Sequence, residues 1–128
     1  MSFAQSAYNT NLALLLINAT AARDLADCGL DDMLPGAAAD ALEYARELRT
    51  AAAELPAAHH RRAALRVAGD TLWDAWRATE RLEGHPDARL RQVRDDLEAA
   101  ARTILGGLVG DEAAGVGAAA GGGEARNV

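Results

Sequence analysis

Residues 34–55 read LPGAAADALEYARELRTAAAEL, and this stretch decides the fold. Small and aliphatic side chains recur in it at spacings of four and three residues, the period of one helix face. They are Leu34, Ala38, Ala41, Ala45, Leu48, Ala52 and Leu55. Charged and polar side chains gather on the opposite face, and Pro56 disfavours helical backbone at the residue before it. The stretch therefore predicts an amphipathic helix over residues 33–55 with a narrow, alanine-rich seam.

The same spacing recurs in three other segments, over residues 3–28, 57–83 and 87–108. The seam of the first is Tyr8, Leu12, Leu15, Ala19, Ala22 and Ala26; that of the second is Leu65, Ala68, Leu72, Ala75, Thr79 and Leu82; that of the third is Leu90, Val93, Leu97, Ala100 and Ile104. Gly29 and Gly84 suit the left-handed position that ends many helices. Four such segments joined by short turns predict an antiparallel four-helix bundle over residues 1–109, with up-down-up-down topology.

Composition supports an all-α fold. The chain contains 32 Ala and 17 Leu, against 13 β-branched residues and 5 aromatic ones. Alanine and leucine favour helices, whereas β-branched and aromatic residues are the ones enriched in strands. A length of 128 residues suits one domain.

The C-terminal segment has a different character. Eight of the twelve glycines lie between Gly106 and Gly123, and apart from alanine and valine little apolar surface remains there. Glycine-rich segments behave as flexible chains because nothing offsets the entropy of ordering them. Residues 110–128 are therefore predicted to be a disordered, Gly/Ala-rich tail.

Charge and hydropathy exclude several classes of partner. The net charge is −6, which argues against nucleic acid. The first 22 residues carry no charged side chain, but the apolar run from Leu12 to Ile17 is short and polar residues flank it on both sides. A membrane span needs about 20 apolar residues, and a secretory signal carries positive charge before its apolar run. The sequence predicts a cytoplasmic protein with no membrane partner.

Motifs for catalysis or cofactor binding do not occur in the sequence. No Ser follows Ser6, there is no Glu-x-x-His pair, and Cys28 is the single cysteine. A serine nucleophile, a di-iron site and a cysteine-based zinc site each need residues that are missing here. We therefore expect no cofactor and no metal, and we expect a binding protein in preference to an enzyme.

One segment breaks a local rule. His59-His60-Arg61-Arg62 places cations at the start of a predicted helix, where they oppose the helix dipole. Such violations are enriched at functional sites. The predicted partner- or anion-binding residues form a basic strip: His59, Arg61, Arg62, Arg66, Trp73 and Arg77. The alternative is a solvated face whose charges pair internally, as Arg66 with Asp70, Asp74 with Arg77, and Glu54 with Arg61 or Arg62.

His59 also allows a phosphoacceptor hypothesis. Histidine phosphotransfer domains are four-helix bundles with an exposed histidine, a basic residue three positions on and a small residue four positions on. Arg62 and Ala63 occupy those positions here, but the other residues typical of the motif are missing and His59 lies in the first helical turn. The correspondence does not amount to a family resemblance.

The first predicted helix has a second apolar side. Taking 100° per residue, Phe3, Leu14, Ile17 and Leu25 lie opposite its seam. An outer helix of a monomeric bundle needs one apolar stripe, and a second usually marks an interface. These four residues predict a homodimer; the alternative is that the second and fourth helices cover both sides of the first.

We expect a small non-catalytic interaction or regulatory module that pairs with itself and with an acidic protein partner. An anion-binding or phosphotransfer-like module on the basic strip is the alternative.

Overall fold

The computed structural model describes residues 2–56 and 59–120, with side chains described for 2–56 and 60–108. Four α-helices make up the fold, and the described residues contain no strand: α1 is Phe3–Asp27, α2 is Leu34–Ala53, α3 is His59–Ala78 and α4 is Ala88–Ala120. Two short 3-10 helices, Asp31–Met33 and Glu80–Leu82, precede α2 and follow α3. The predicted all-α class is confirmed.

Local hydrogen bonds fix both ends of α1. The Ser2 side chain accepts a hydrogen bond from the Gln5 backbone N–H at 3.0 Å, which satisfies one of the free donors of the first turn. At the other end Gly29 has φ +74°, and the Leu30 N–H donates to the Leu25 carbonyl at 2.9 Å. This is the Schellman geometry, which glycine adopts without a steric penalty. The predicted stop at Gly29 is confirmed.

The core consists almost entirely of the predicted seams. Every predicted seam residue of the second half of the chain is buried, from Leu65 to Ile104. In the first half, Leu12, Ala52 and Leu55 are half-buried and pack against the core, and Ala51 is buried beside them. Alanine occupies about half of these positions, so the helix backbones can approach closely. The 3.6-residue period was therefore sufficient to identify the core.

Contacts between helices follow a definite order. α1 packs against α2 and α3, and α4 packs against α2 and α3. Arg61 at the start of α3 reaches Gln5 at the start of α1, and Arg81 after α3 reaches the Ala26 carbonyl near the end of α1. Two side-by-side helices with matching starts and matching ends run in the same direction. α1 and α3 are therefore parallel neighbours.

The C-terminal end of α4 differs from the prediction. The helix continues to Ala120, so the predicted end near residue 108 is wrong, and residues 110–120 of the predicted tail have helical backbone. Helical hydrogen bonds are local, and alanine has the highest helix propensity, so a helix can extend without neighbours to pack on. The rest of the predicted tail, residues 121–128, lies outside the described residues.

Candidate interaction surfaces

The second apolar side of α1 divides into two parts in the structure. Phe3 is 89% exposed and Ile17 is 62% exposed, while Leu14 is half-buried and does not pack on the core. Leu25 is half-buried and packs against the core. We call Phe3, Leu14 and Ile17 the outer face of α1. Three of the four residues predicted for a dimer interface thus lie on one side of α1 outside the core, whereas Leu25 packs against the core.

Helix order explains why this face is uncovered. The neighbours of α1 are α2 and α3, which cover the side that carries Tyr8, Leu15 and Ala19. The alternative in which the second and fourth helices enclose the first is therefore wrong, since α3 takes the place expected for α4. Phe3 and Ile17 of the outer face therefore stay exposed, and Leu14 is partly covered.

The residues around the outer face are neutral, and several satisfy their polar groups within the helix. The side-chain amide of Asn11 donates to the Ala7 carbonyl at 2.9 Å, and that of Asn18 donates to the Leu14 carbonyl at 2.8 Å. A polar group that already has a hydrogen-bond partner costs less free energy to bury than an unpaired one. The face can therefore lose water at a small cost.

Arg61 of the basic strip is bound within the chain. Its guanidinium donates to Gln5 Oε1 at 2.8 Å and to the Pro56 carbonyl, and it lies 5.6 Å from the centre of the Tyr8 ring. These contacts join the start of α3 to α1, so Arg61 is not available as a partner-binding group. The sequence contained this signal, because Arg61 precedes Leu65 by one helical turn and continues its seam.

The two tryptophans lie beneath arginines of α4. Trp73 and Trp76 meet edge to face with their ring centres 5.2 Å apart, and both pack against the core. The Arg102 guanidinium lies 5.8 Å from the Trp73 ring centre, and that of Arg94 lies 4.4 Å from the Trp76 ring centre. The Trp76 ring is thus half-buried, with a cation on its outer side. Trp73 was expected at the edge of an open strip and is instead part of the α3–α4 contact.

Ion pairs occupy other charges that the sequence singled out. Arg77 donates to Asp74 at 2.6 Å, as the internal-pairing alternative predicted. On α4, Arg102 pairs with Glu98 at 2.9 Å. Arg94 of the same helix donates to the Trp76 carbonyl at 3.1 Å. Its guanidinium also gains a cation–π interaction with the Trp76 ring.

Little of the basic strip then remains as a common surface. Arg62 is half-buried and Arg66 is exposed, whereas the side chain of His59 lies outside the described residues. The phosphoacceptor hypothesis depends on that histidine and stays untested. The acidic partner predicted for the strip also stays a prediction, and it now depends on Arg62 and Arg66.

Comparison of the chain with protein-family models, with curated proteins and with solved structures finds no match. Within the described residues, no helix combines the length and the apolar character that crossing a membrane requires. In the same part of the chain, His, Cys, Asp and Glu side chains form no group of three or more that could hold a metal ion. Any assignment of function must therefore start from the surfaces described above.

Proposed function

We propose that this protein is a non-catalytic interaction module that pairs with a second copy of itself through the outer face of α1. The four helices would act as a bundle with up-down-up-down topology, in which the neighbours α1 and α3 run parallel, and this bundle would present the face. The observation that carries the proposal is the exposure of Phe3 and Ile17, 89% and 62%, on a helix with no charged side chain before Arg23.

The energetics favour a reversible pair. Burying a large apolar side chain fully contributes about 1.5–3 kcal/mol, and a two-fold interface buries each residue of the face twice. Association costs roughly 4–15 kcal/mol in lost translational and rotational freedom, so the net affinity is modest. We expect dimers that dissociate on dilution.

Because this part of α1 carries no charge, the proposal predicts how association depends on salt. Association through an uncharged apolar face should not weaken as salt is added, whereas binding between opposite charges should. Salt dependence therefore separates pairing through α1 from any pairing that uses the basic strip.

Light scattering or sedimentation over protein concentrations from about 1 µM to 1 mM tests the proposal, because that span covers dissociation energies of roughly 4–8 kcal/mol. We expect a dimer at the upper end for the wild-type chain and a monomer for Ile17→Glu. Both should show the same helix content, since Ile17 is outside the core. Val67→Glu is the matched control, because Val67 is 55% exposed but lies on α3.

Two results would overturn this proposal. A wild-type chain that stays monomeric throughout the concentration range leaves the exposed residues of α1 without the role assigned to them. A dimer that survives Ile17→Glu but is lost in Val67→Glu would move the interface to α3. Measuring helix content and thermal unfolding of each variant shows that a loss of pairing does not come from unfolding.

A further inference from the structure

A cleft of about 220 Å³ opens between the C-terminal half of α2 and α4, with Leu65 of α3 among its lining residues. Its larger apolar side chains are Leu65 and Ile104, and Arg49 and Thr103 are its polar residues. Most other lining residues are alanine or glycine. The cleft is thus apolar except for one cation and one hydroxyl.

The cleft exists because both helices carry very small residues at this level. Ala52 and Ala53 line it from α2, and Gly106 and Gly107 line it from α4. A Cβ placed on Gly106 or Gly107 would meet no atom within 4 Å, apart from chain neighbours and the helix's own backbone. At Gly69, by contrast, a Cβ would lie 2.6 Å from the Leu105 side chain, so α3 and α4 are tightly packed there. The open space near Gly106 therefore does not extend along α4 to the level of Gly69.

Arg49 lines the cleft, and Arg46 lines a depression that shares residues with it. This shallower depression is lined by Arg46, Arg49, Thr50, Ala53, Glu54 and Thr103, and it shares Arg49, Ala53 and Thr103 with the cleft. Both arginines are exposed, and among the described residues neither guanidinium has a hydrogen-bond or ion-pair partner. Glu54 is the acid on this lining and belongs to the shallow part alone.

We propose that this cleft binds a small organic carboxylate with an apolar tail. The carboxylate is held by the planar guanidinium of Arg49, with Arg46 adding positive charge, and the tail lies against Leu65 and Ile104. Arginine presents paired N–H groups that match a carboxylate. A cavity of about 150 Å³ accepts benzene, so this cleft suits a tail of roughly six to eight carbons.

The chemistry of the cleft distinguishes this ligand from other anions. Inorganic phosphate or acetate would meet the same arginines but would leave the apolar part of the cleft filled with water. A neutral alcohol of the same length would fill the apolar part but leave Arg49 unpaired. Only a molecule that carries both a negative charge and an apolar tail can pair with Arg49 and fill the apolar part of the cleft at the same time.

Methyl NMR of the full-length chain, titrated with octanoate, tests the proposal. We expect saturable shifts at Leu65 and Ile104, none at Ile17 in the outer face of α1, and at least tenfold weaker binding of octan-1-ol and of acetate. Octan-1-ol lacks the carboxylate, and losing one charge-assisted hydrogen bond weakens binding about tenfold. Acetate lacks the apolar tail, and losing a tail of this length weakens binding by more than about tenfold.

Two substitutions separate the charged part of the site from the apolar part. Arg49→Gln should weaken octanoate binding about tenfold while leaving octan-1-ol binding unchanged. Gly107→Leu should fill the cleft and weaken both. Arg89→Gln is the control, because it removes an exposed positive charge from the other end of α4. Since Arg49 is exposed, its replacement should not disturb folding.

The proposal is overturned if octanoate produces no saturable shifts. It is also overturned if Arg49→Gln binds octanoate as the wild type does, or if the shifts centre on Ile17. The last result would mean that the fatty acid covers the outer face of α1 and that the cleft stays empty. None of these results bears on the self-association proposed above, which is measured without ligand.

Discussion

Arg81 holds the carboxylate of Asp31 with both of its terminal nitrogens. Nη1 donates to Asp31 Oδ2 at 2.9 Å, and Nη2 donates to Oδ1 and also to the Ala26 carbonyl at 3.1 Å. One side chain thus joins the turn after α3 to the turn between α1 and α2. The hydrogen bonds from Arg81 lower the pKa of Asp31 below its ordinary value, and the nearby His85 adds to this effect.

This pair predicts a pH-dependent contribution to stability. Because the pKa of Asp31 is lower in the folded than in the unfolded chain, the unfolded chain binds more protons as pH falls. The contribution is therefore complete above the unfolded value of about 3.9 and is lost as pH falls through the lowered folded value. The pair is partly exposed, with Arg81 46% and Asp31 26% accessible, so its size is at most about 1 kcal/mol.

Asp31→Asn should lower the free energy of unfolding by up to about 1 kcal/mol at pH 6 and by much less at pH 2. Urea unfolding at both pH values measures the difference. Asp32→Asn is the matched control, since Asp32 is exposed and has no partner among the described residues. Equal losses for the two variants at pH 6 would show that the Arg81 contact contributes nothing in solution.

Substitutions on opposite sides of α3 should have very different costs. Leu72 is fully buried, so Leu72→Ala should lower the free energy of unfolding by roughly 2–5 kcal/mol through the cavity it leaves. Asp74→Ala removes only an exposed ion pair with Arg77 and should change it by less than about 0.5 kcal/mol. Chemical denaturation compares them directly. Similar costs would mean that the assigned orientation of α3 is wrong.

Two glycine-to-alanine substitutions separate helix propensity from packing. Gly106→Ala adds a methyl group in open space, so it should stabilise the chain by about 0.5–1 kcal/mol. Gly69→Ala has the same propensity gain but forces the half-buried Leu105 side chain to move. We expect the second variant to be at least about 1 kcal/mol less stable than the first. Identical thermal unfolding would contradict the close packing of α3 on α4.

Deletion of residues 111–128 should leave the melting temperature nearly unchanged. Among the described side chains, the last core residue of α4 is Leu108, which stays in the shortened chain. Helical backbone beyond that point is held by its own local hydrogen bonds. Differential scanning calorimetry of both chains checks this prediction, and a fall of more than several degrees would show that the deleted segment packs on the core.

The core could be predicted because burial follows directly from periodicity. Leu65, Leu72 and Leu97 were assigned to seams from their spacing alone, and all three are buried. The order of the helices could not be predicted in this way, since spacing identifies which face is buried but not which helix covers it. The end of α4 was missed for a related reason: composition indicates a lack of core residues, and a helix does not need them to continue.

Predicting the surface was harder than predicting the core. Phe3 and Ile17 were identified because a second apolar stripe shows in the helix period, and both are exposed. Arg61 was assigned to the strip because of its charge, although its spacing from Leu65 places it on the seam of α3. There it donates a hydrogen bond to Gln5 and lies over the Tyr8 ring. The cleft beside Arg49 was not foreseen at all. It depends on small residues of α2 and α4 at the same level, and this match between helices cannot be seen in a single sequence.

The order of helix contacts also divides the chain into two consecutive hairpins. α1 with α2 and α3 with α4 are pairs of sequence neighbours, whereas the contacts of α1 with α3 and of α2 with α4 join the halves. Two copies that exchanged their second hairpins would keep every one of these contacts, with only the link near Pro56 changed, which is domain swapping. A swapped dimer would persist in Ile17→Glu. It would dissociate only as fast as the α1–α2 hairpin separates from the α3–α4 hairpin, because their contacts would hold the two chains together. The same order of helices, in which α2 and α3 cover one side of α1, would also allow this second route to pairing, which uses the core in place of the surface.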